Sequence, residues 1–191
     1  MRFILSRSRL TVGLCCGMFS AAPVSSTYLP PQYLPVYGGA GGTAFTRTCG
    51  AGKVLTGVRF RGGVLVDAVG ILCRPVLADG TLGPESTVGT IAGGSGGTSG
   101  IANCPTPRVA VGATIKHGTY VNYIHLWCRA WDPGTRKMVG DDQRTAEDAG
   151  TNASGGTSNT EKCEAATQPA SGIRGRASSL LDAFGVTCNE P

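Results

Sequence analysis

The chain has 191 residues, with 30 Gly, 11 Pro, 8 Cys, a charged fraction of 15% and a formal net charge of +5. So much glycine excludes a coiled coil or long helical bundle, because each Gly costs about 1 kcal/mol in a helix interior, and the glycines lack the every-third-residue period of collagen. An apolar fraction of 41% with little charge also excludes wholesale disorder, which leaves an all-β domain with many tight turns.

Arg2, Arg7 and Arg9 open the chain, an apolar stretch runs from Leu10 to Ala22, and small residues follow to Ser26. This layout predicts a secretory signal over 1–26, cut after Ser26. Cys15 and Cys16 suggest a lipoprotein signal, but Leu14 is too large for the residue before a lipidated cysteine. The apolar stretch is shorter than the ~20 residues a bilayer span needs, so stable membrane insertion is not expected. The signal holds three of the 17 basic residues and none of the 12 acidic ones, so the remaining chain carries only +2. No basic stripe with interleaved aromatics is left, and nucleic acid is not expected as a partner. Six cysteines remain, an even number in an exported chain, and they read as disulfides of a secreted, periplasmic or extracellular protein.

Residues 27–36 form a Pro-rich, extended lead-in, and 37–191 form the domain. Its cysteines are Cys49, Cys73, Cys104, Cys128, Cys163 and Cys188, in pairs spaced 24, 24 and 25 residues apart. Such regular spacing marks a repeated supersecondary unit, with repeats of about 38–92, 93–154 and 155–191. Other positions keep the register. Gly57, Gly112 and Gly172 follow the first cysteine of each pair, and Asp67, Asn122 and Asp182 precede the second. Six residues before these stand Arg61, Lys116 and Arg176. Each unit reads as strand, turn, strand: Val54–Arg61 and Val64–Leu72 about Gly62-Gly63, Val109–Lys116 and Tyr120–Trp127 about His117-Gly118, and Ser171–Arg176 and Leu180–Thr187 about Ala177-Ser178. Six cysteines allow about 15 connectivities. The repeat favours one bridge within each unit, worth roughly 3 kcal/mol apiece in the chain-entropy model. The last unit ends just after Cys188 without a return segment, and Tyr33–Tyr37 is the candidate to supply it. The polar stretch Asp132–Lys162 predicts a return strand and a mobile loop.

Several apparent signals carry no expected chemistry. Gly93–Gly97 matches G-x-S-x-G, yet lacks the strand-to-helix elbow that a nucleophilic Ser95 needs. No C-x-x-C spacing exists and both histidines, His117 and His125, sit in one repeat, so no metal or cofactor is expected. Asn152-Ala153-Ser154 is a glycosylation sequon. Tyr123, Trp127 and Trp131 beside Cys128 read as packing residues.

Residues Tyr37–Phe45 resemble the Gly-rich opening of jacalin-related lectins, and Ile173–Val186 resembles their last hairpin, as does Val58–Ile71. The threefold, cysteine-bearing arrangement also resembles vitelline membrane outer layer proteins. The resemblance covers 37–188 and implies a β-prism: three Greek-key sheets with internal pseudo-threefold symmetry, here with one disulfide per repeat. In the lectins a Gly-rich loop and a G-x-x-x-D loop hold sugar hydroxyls. The second motif is intact at Gly63–Asp67, has an amide at Gly118–Asn122, and has Ser178 in place of Gly before Asp182. The strand exchange typical of the family sets Asp67 against Gly93–Gly97, Asn122 against Gly155-Gly156, and Asp182 against Gly38–Gly42. The candidate carbohydrate-binding residues are therefore Gly63, Asp67, Gly94, Gly118, Tyr120, Asn122, Asp182 and Gly39. A carboxylate accepts two hydroxyls, each charge-assisted bond worth about 1.5–3 kcal/mol.

These readings predict a non-enzymatic carbohydrate-binding protein with glycans or glycoconjugates as partners, its oligomeric state open. The alternative is a structural or interaction protein of a cell surface or extracellular layer without a sugar site. In that reading the acidic positions merely satisfy hairpin N–H groups, or pair with Arg61, Lys116 and Arg176 across the hairpin. A glycan-processing enzyme lacks its carboxyl pair, since Asp67 and Asp182 are assigned to different sheets and the chemistry needs carboxyls about 5–9.5 Å apart.

Overall fold

Runs rich in Val, Ile and Thr, interrupted by glycines, fold here as strands throughout. The computed structural model describes residues 28–191, and the expected leader over 1–26 lies outside the described residues. In chain order the strands are β1 (Gln32–Tyr33), β2 (Tyr37–Gly38), β3 (Thr43–Thr48), β4 (Lys53–Gly62), β5 (Val66–Pro75), β6 (Ser86–Gly93) and β7 (Thr98–Asn103). They continue with β8 (Arg108–His117), β9 (Val121–Asp132), β10 (Lys137–Arg144), β11 (Thr157–Lys162), β12 (Ala170–Ala177) and β13 (Leu181–Cys188). Three antiparallel sheets result: a first ordered β1-β13-β12-β3, with β2 also on β13, a second ordered β6-β5-β4-β7 and a third ordered β10-β9-β8-β11. Each is one Greek key, and together they form a β-prism. A central hairpin takes a return strand on one side, and the chain then crosses the hairpin end to pair on the other.

The sheet containing β12 and β13 is assembled from both ends of the described chain. β1 and β2 pair with β13 where β6 and β10 pair with β5 and β9. The missing return after Cys188 is thus supplied by the N-terminal segment. Among the described residues, no helix is long and apolar enough to cross a membrane.

The inward faces repeat as the sequence does. Ile71, Leu126 and Val186 stand at equivalent places and are buried, and Phe184, Leu55, Ile115, Ile124, Ile173 and Leu181 fill the interior around them. Each hairpin slips register by one residue, between Leu55 and Gly57, Ala110 and Gly112, and Ala170 and Gly172. These bulges explain the recurring glycine. A Cβ on Gly57 would stand 2.7 Å from the Asn103 Cβ, and on Gly112 or Gly172 only 2.1 or 2.3 Å from a carbonyl of the neighbouring strand.

The three disulfides are Cys49–Cys73, Cys104–Cys128 and Cys163–Cys188, as the repeat favoured. Their tertiary role is larger than closing a hairpin. Cys49 follows β3 and its N–H donates to Ser171 O of the first sheet, while its partner Cys73 lies on β5 of the second. Cys104 donates to Thr56 O and Cys163 to Val111 O in the same way, with partners on the next sheet along. The bridges therefore staple the three sheets to one another at the open ends of the hairpins.

The polar stretch after Asp132 is more ordered than its composition suggests. β10 returns along β9, and the segment beyond is pinned by Thr145 N–H to Leu126 O and by reciprocal bonds between Ile124 and Ala149. Thr145 and Ala149 are fully buried, so this part of the stretch is anchored where its composition predicts a mobile loop.

The third sheet departs from the symmetry on its outer face. Where β5 and β13 carry Gly70 and Gly185, β9 carries His125, between Tyr123 and Trp127 at centroid distances of 5.7 and 5.0 Å. Tyr123 donates to Asp148, which also pairs with Arg144, and burial with that bond raises the phenol to about 12. Trp131 is buried with its indole N–H on Gly80 O, and Trp127 donates to Thr114 under the Lys162 ammonium. The three aromatics are packing residues.

His125 is 8% exposed, and neither ring nitrogen has a hydrogen-bond partner. Burial, with Arg144 adding, holds its pKa below the ordinary 6.5; Asp148 opposes, and Lys162 and Lys116 add smaller depressions. The unfolded chain therefore takes up this proton first as pH falls, and stability present above about pH 6.5 is lost below it. Melting temperatures at pH 7.5 and 5.0 are expected to fall for the native protein and to fall less for His125→Leu. An equal fall in both would refute this assignment.

Candidate functional site

The Greek-key connection decides what meets what. Each crossing from return strand to far edge strand passes over the turn of its own central hairpin. Gly93–Gly97 cross above Gly63-Val64-Leu65, residues 39–42 above 178–180, and 145–156 above 118–120. The glycine tracts and the acidic positions are thereby brought together within one sheet.

At the second sheet, Asp67 lies just past the turn at the start of β5. A Cβ on Gly96 would stand 2.3 Å from Asp67 Oδ1, and one on Gly97 would stand 2.6 Å from Oδ2. At the first sheet the corresponding distances are 2.3 Å from Gly41 to Asp182 Oδ1 and 2.4 Å from Gly42 to Oδ2. Gly97 and Gly42 also hold φ of +61° and +63°, which L-residues rarely adopt. Both carboxylates thus lie flat against a glycine backbone that no side chain shields. Asp67 is half-buried, and among the described residues no side-chain hydrogen bond reaches its carboxylate. Asp182 is buried and accepts one bond, from Ser178 Oγ at 3.2 Å.

The recurring cations do not pair with these acids. Arg61 donates to Gly96 O and Gly97 O at 2.8 Å, and Arg176 donates to Gly41 O and Gly42 O at 2.7 Å. Lys116 donates to Ala153 O in the third crossing. Each cation clamps the carbonyls of its tract, which leaves Asp67 and Asp182 without a cationic partner. Charge-assisted bonds of this kind fix a loop that glycine alone leaves floppy. The alternative in which these cations pair with the acids across the hairpin is not what the structure shows. The signal for a shared role was their equal spacing of six residues before the acidic positions.

The other predicted residues fall around this arrangement. Gly63 and Gly118 have nothing within 4 Å of a built Cβ, so Ser178 at the equivalent place is no obstacle. Gly39 N–H donates to Asp182 O and Gly94 N–H to Asp67 O, at 2.8 and 3.0 Å. Their open sides are filled by the Thr119 and Ser179 carbonyls of the neighbouring sheets' turns, 2.2 Å from a built Cβ. Thr151 N–H of the third crossing donates to Gly63 O. The three turn-and-tract pairs thus touch in a ring at one end of the prism, the end away from the disulfides. Tyr120 is exposed at the tip of the third turn, and Asn122 is buried beside Gly156, whose built Cβ stands 3.0 Å from Asn122 Nδ2. Ser95 sits exposed between β6 and β7, without the helix a nucleophile elbow requires.

No family model matches the chain, and no curated protein matches it in sequence. Solved structures do. A Malaysian banana lectin superposes with a TM-score of 0.58 at 21% identity, covering 85% of this chain and all of the lectin. A mannose-binding jacalin-related lectin from Ananas comosus gives 0.58 at 21% identity, over 84% of this chain and 99% of its own. The Calystegia sepium agglutinin gives 0.57 at 16% identity, over 85% and 99%. The chain therefore has the jacalin-related β-prism fold, and its structural neighbours are carbohydrate-binding lectins.

Proposed function

We propose that this protein is an exported, non-enzymatic lectin that binds glycan hydroxyls where the Asp67 and Asp182 carboxylates meet their glycine tracts. The observation that carries this reading is the diversion of Arg61 and Arg176 onto tract carbonyls. It leaves two carboxylates without a cationic partner beside an unshielded backbone edge. A vicinal diol donates two hydroxyl protons to such a carboxylate and accepts from tract N–H groups, a pattern that needs donors and acceptors side by side. Neighbours of the same fold include proteins named for binding mannose, which supports a sugar ligand without fixing its identity. The three disulfides support an oxidising, extracellular or periplasmic location.

The test is binding of the purified protein to a broad glycan panel, followed by calorimetric titration with the free sugar of the best responders. Saturable binding to a defined set of glycans is expected. A folded protein that binds none would favour a structural or interaction role at a cell surface or extracellular layer.

A further inference from the structure

The third crossing is built differently from the other two. Gly38, Gly93 and Gly150 are structural counterparts: a Cβ on each would stand 2.1, 2.2 or 2.3 Å from the carbonyl of Asp182, Asp67 or Asn122. At the far end Gly42, Gly97 and Gly156 share φ of +63°, +61° and +77°. Between these markers the first two crossings hold three residues, and the third holds Thr151 through Gly155, two more. The longer segment folds back on itself, with Ala153 N–H on Thr151 O at 2.9 Å and Ser154 Oγ 3.5 Å from Asn152 Oδ1.

This fold-back drives the Asn152 carboxamide onto Gly155. A Cβ there would stand 2.3 Å from Asn152 Nδ2 and 2.8 Å from its Oδ1. Gly155 is the counterpart of Gly41 and Gly96, where the atom at 2.3 Å is Oδ1 of Asp182 or Asp67. Asn122 keeps only the second place, beside Gly156. The middle residues of the shorter crossings, Ala40 and Ser95, are exposed instead, while Asn152 is half-buried.

We propose that Asn152 caps the third turn-and-tract pair from within, so that the protein presents two open glycan sites rather than three. The proposal rests on the lectin reading above. Its carboxamide takes the place that a carboxylate oxygen takes in the other two pairs, and puts an N–H donor against the tract where those pairs offer sugar hydroxyls an acceptor. Being tethered, it holds that place without losing the association entropy of a free group.

Calorimetric titration with free mannose tests the cap. The native chain is expected to bind two equivalents and Asn152→Gly three. In an Asp67→Ala/Asp182→Ala background, where binding at those two sites falls below calorimetric detection, the expected numbers are none, and one once Asn152→Gly is added. Three equivalents in the native chain, or two in Asn152→Gly, would overturn the cap. A sugar-independent arm reads the Asn152 side-chain amide by 15N-edited NMR of the native protein. Cross-peaks to Gly155 with slowed amide exchange support the cap, and a freely averaging amide without them overturns it. If no mannose is bound by any form, the lectin reading fails for that sugar while the NMR result still decides the cap.

Discussion

Asp67→Ala and Asp182→Ala are each expected to weaken glycan binding at their own site by at least about 100-fold. Each change deletes the acceptor for two charge-assisted hydrogen bonds worth about 1.5–3 kcal/mol apiece, and 1.4 kcal/mol is tenfold in affinity. Tract N–H groups remain in both variants, so residual weak binding is expected. Asp67→Asn keeps the shape and loses the charge, and a loss nearer tenfold is expected. The two aspartates differ in their structural cost. Asp67 is half-buried with no side-chain bond, so its removal should leave the melting temperature nearly unchanged. Asp182 is buried and bonded to Ser178 Oγ, and its loss should cost about 1 kcal/mol of stability. Titration of the two single variants and the double variant separates the sites. Full affinity and stoichiometry in the double variant would remove these carboxylates from any binding role.

Cys163→Ser/Cys188→Ser should lower stability by about 3 kcal/mol, the chain-entropy value for a loop of this length. In a domain of this size that corresponds to a fall of roughly 6–12 °C in melting temperature. The consequence is set by where the bridge lies. Cys188 ends β13, the strand to which β12, β1 and β2 all pair, and Cys163 fixes it to the end of β11 in the third sheet. The first sheet joins segments from both ends of the described chain. Its pairing is therefore the most non-local in the fold and gains most from an added tether. Hydrogen exchange should show lost protection in β13, β1 and β2 before β4, β5, β8 and β9. Uniform loss across all three sheets, or an unchanged melting temperature, would show that the bridge does not hold that sheet closed.

Much of this was legible because the chain repeats itself. Three cysteine pairs in register argued for three bridges, and the missing return after Cys188 pointed to the N-terminal segment. The glycines at 57, 112 and 172 were visible as a pattern, but their cause was not. Only the structure shows the neighbouring strand lying against each bulge. Arg61 and Arg176 were visible as recurring cations, with pairing to the aspartates one alternative. Side-chain direction across a crossing loop is not encoded by spacing within a hairpin, and the carbonyls of Gly96, Gly97, Gly41 and Gly42 proved the nearer acceptors. Gly39 and Gly94 were read as points of ligand approach and turn out to face the backbone of adjacent turns. The glycines that lie against the carboxylates are their neighbours Gly41, Gly42, Gly96 and Gly97.

Sequence alone determined the strand content, the threefold unit and its cysteine register, because glycine spacing and β-branched runs act locally and every repeat states them again. The tertiary structure decided how the bridges join sheets, which groups remain free at each turn, and that the third turn differs. Those outcomes depend on the Greek-key crossing, which brings residues about 30 apart in two sheets, and about 135 apart in the sheet of β12 and β13, over one hairpin end; in the third crossing two extra residues suffice to swing Asn152 into a place held elsewhere by an aspartate.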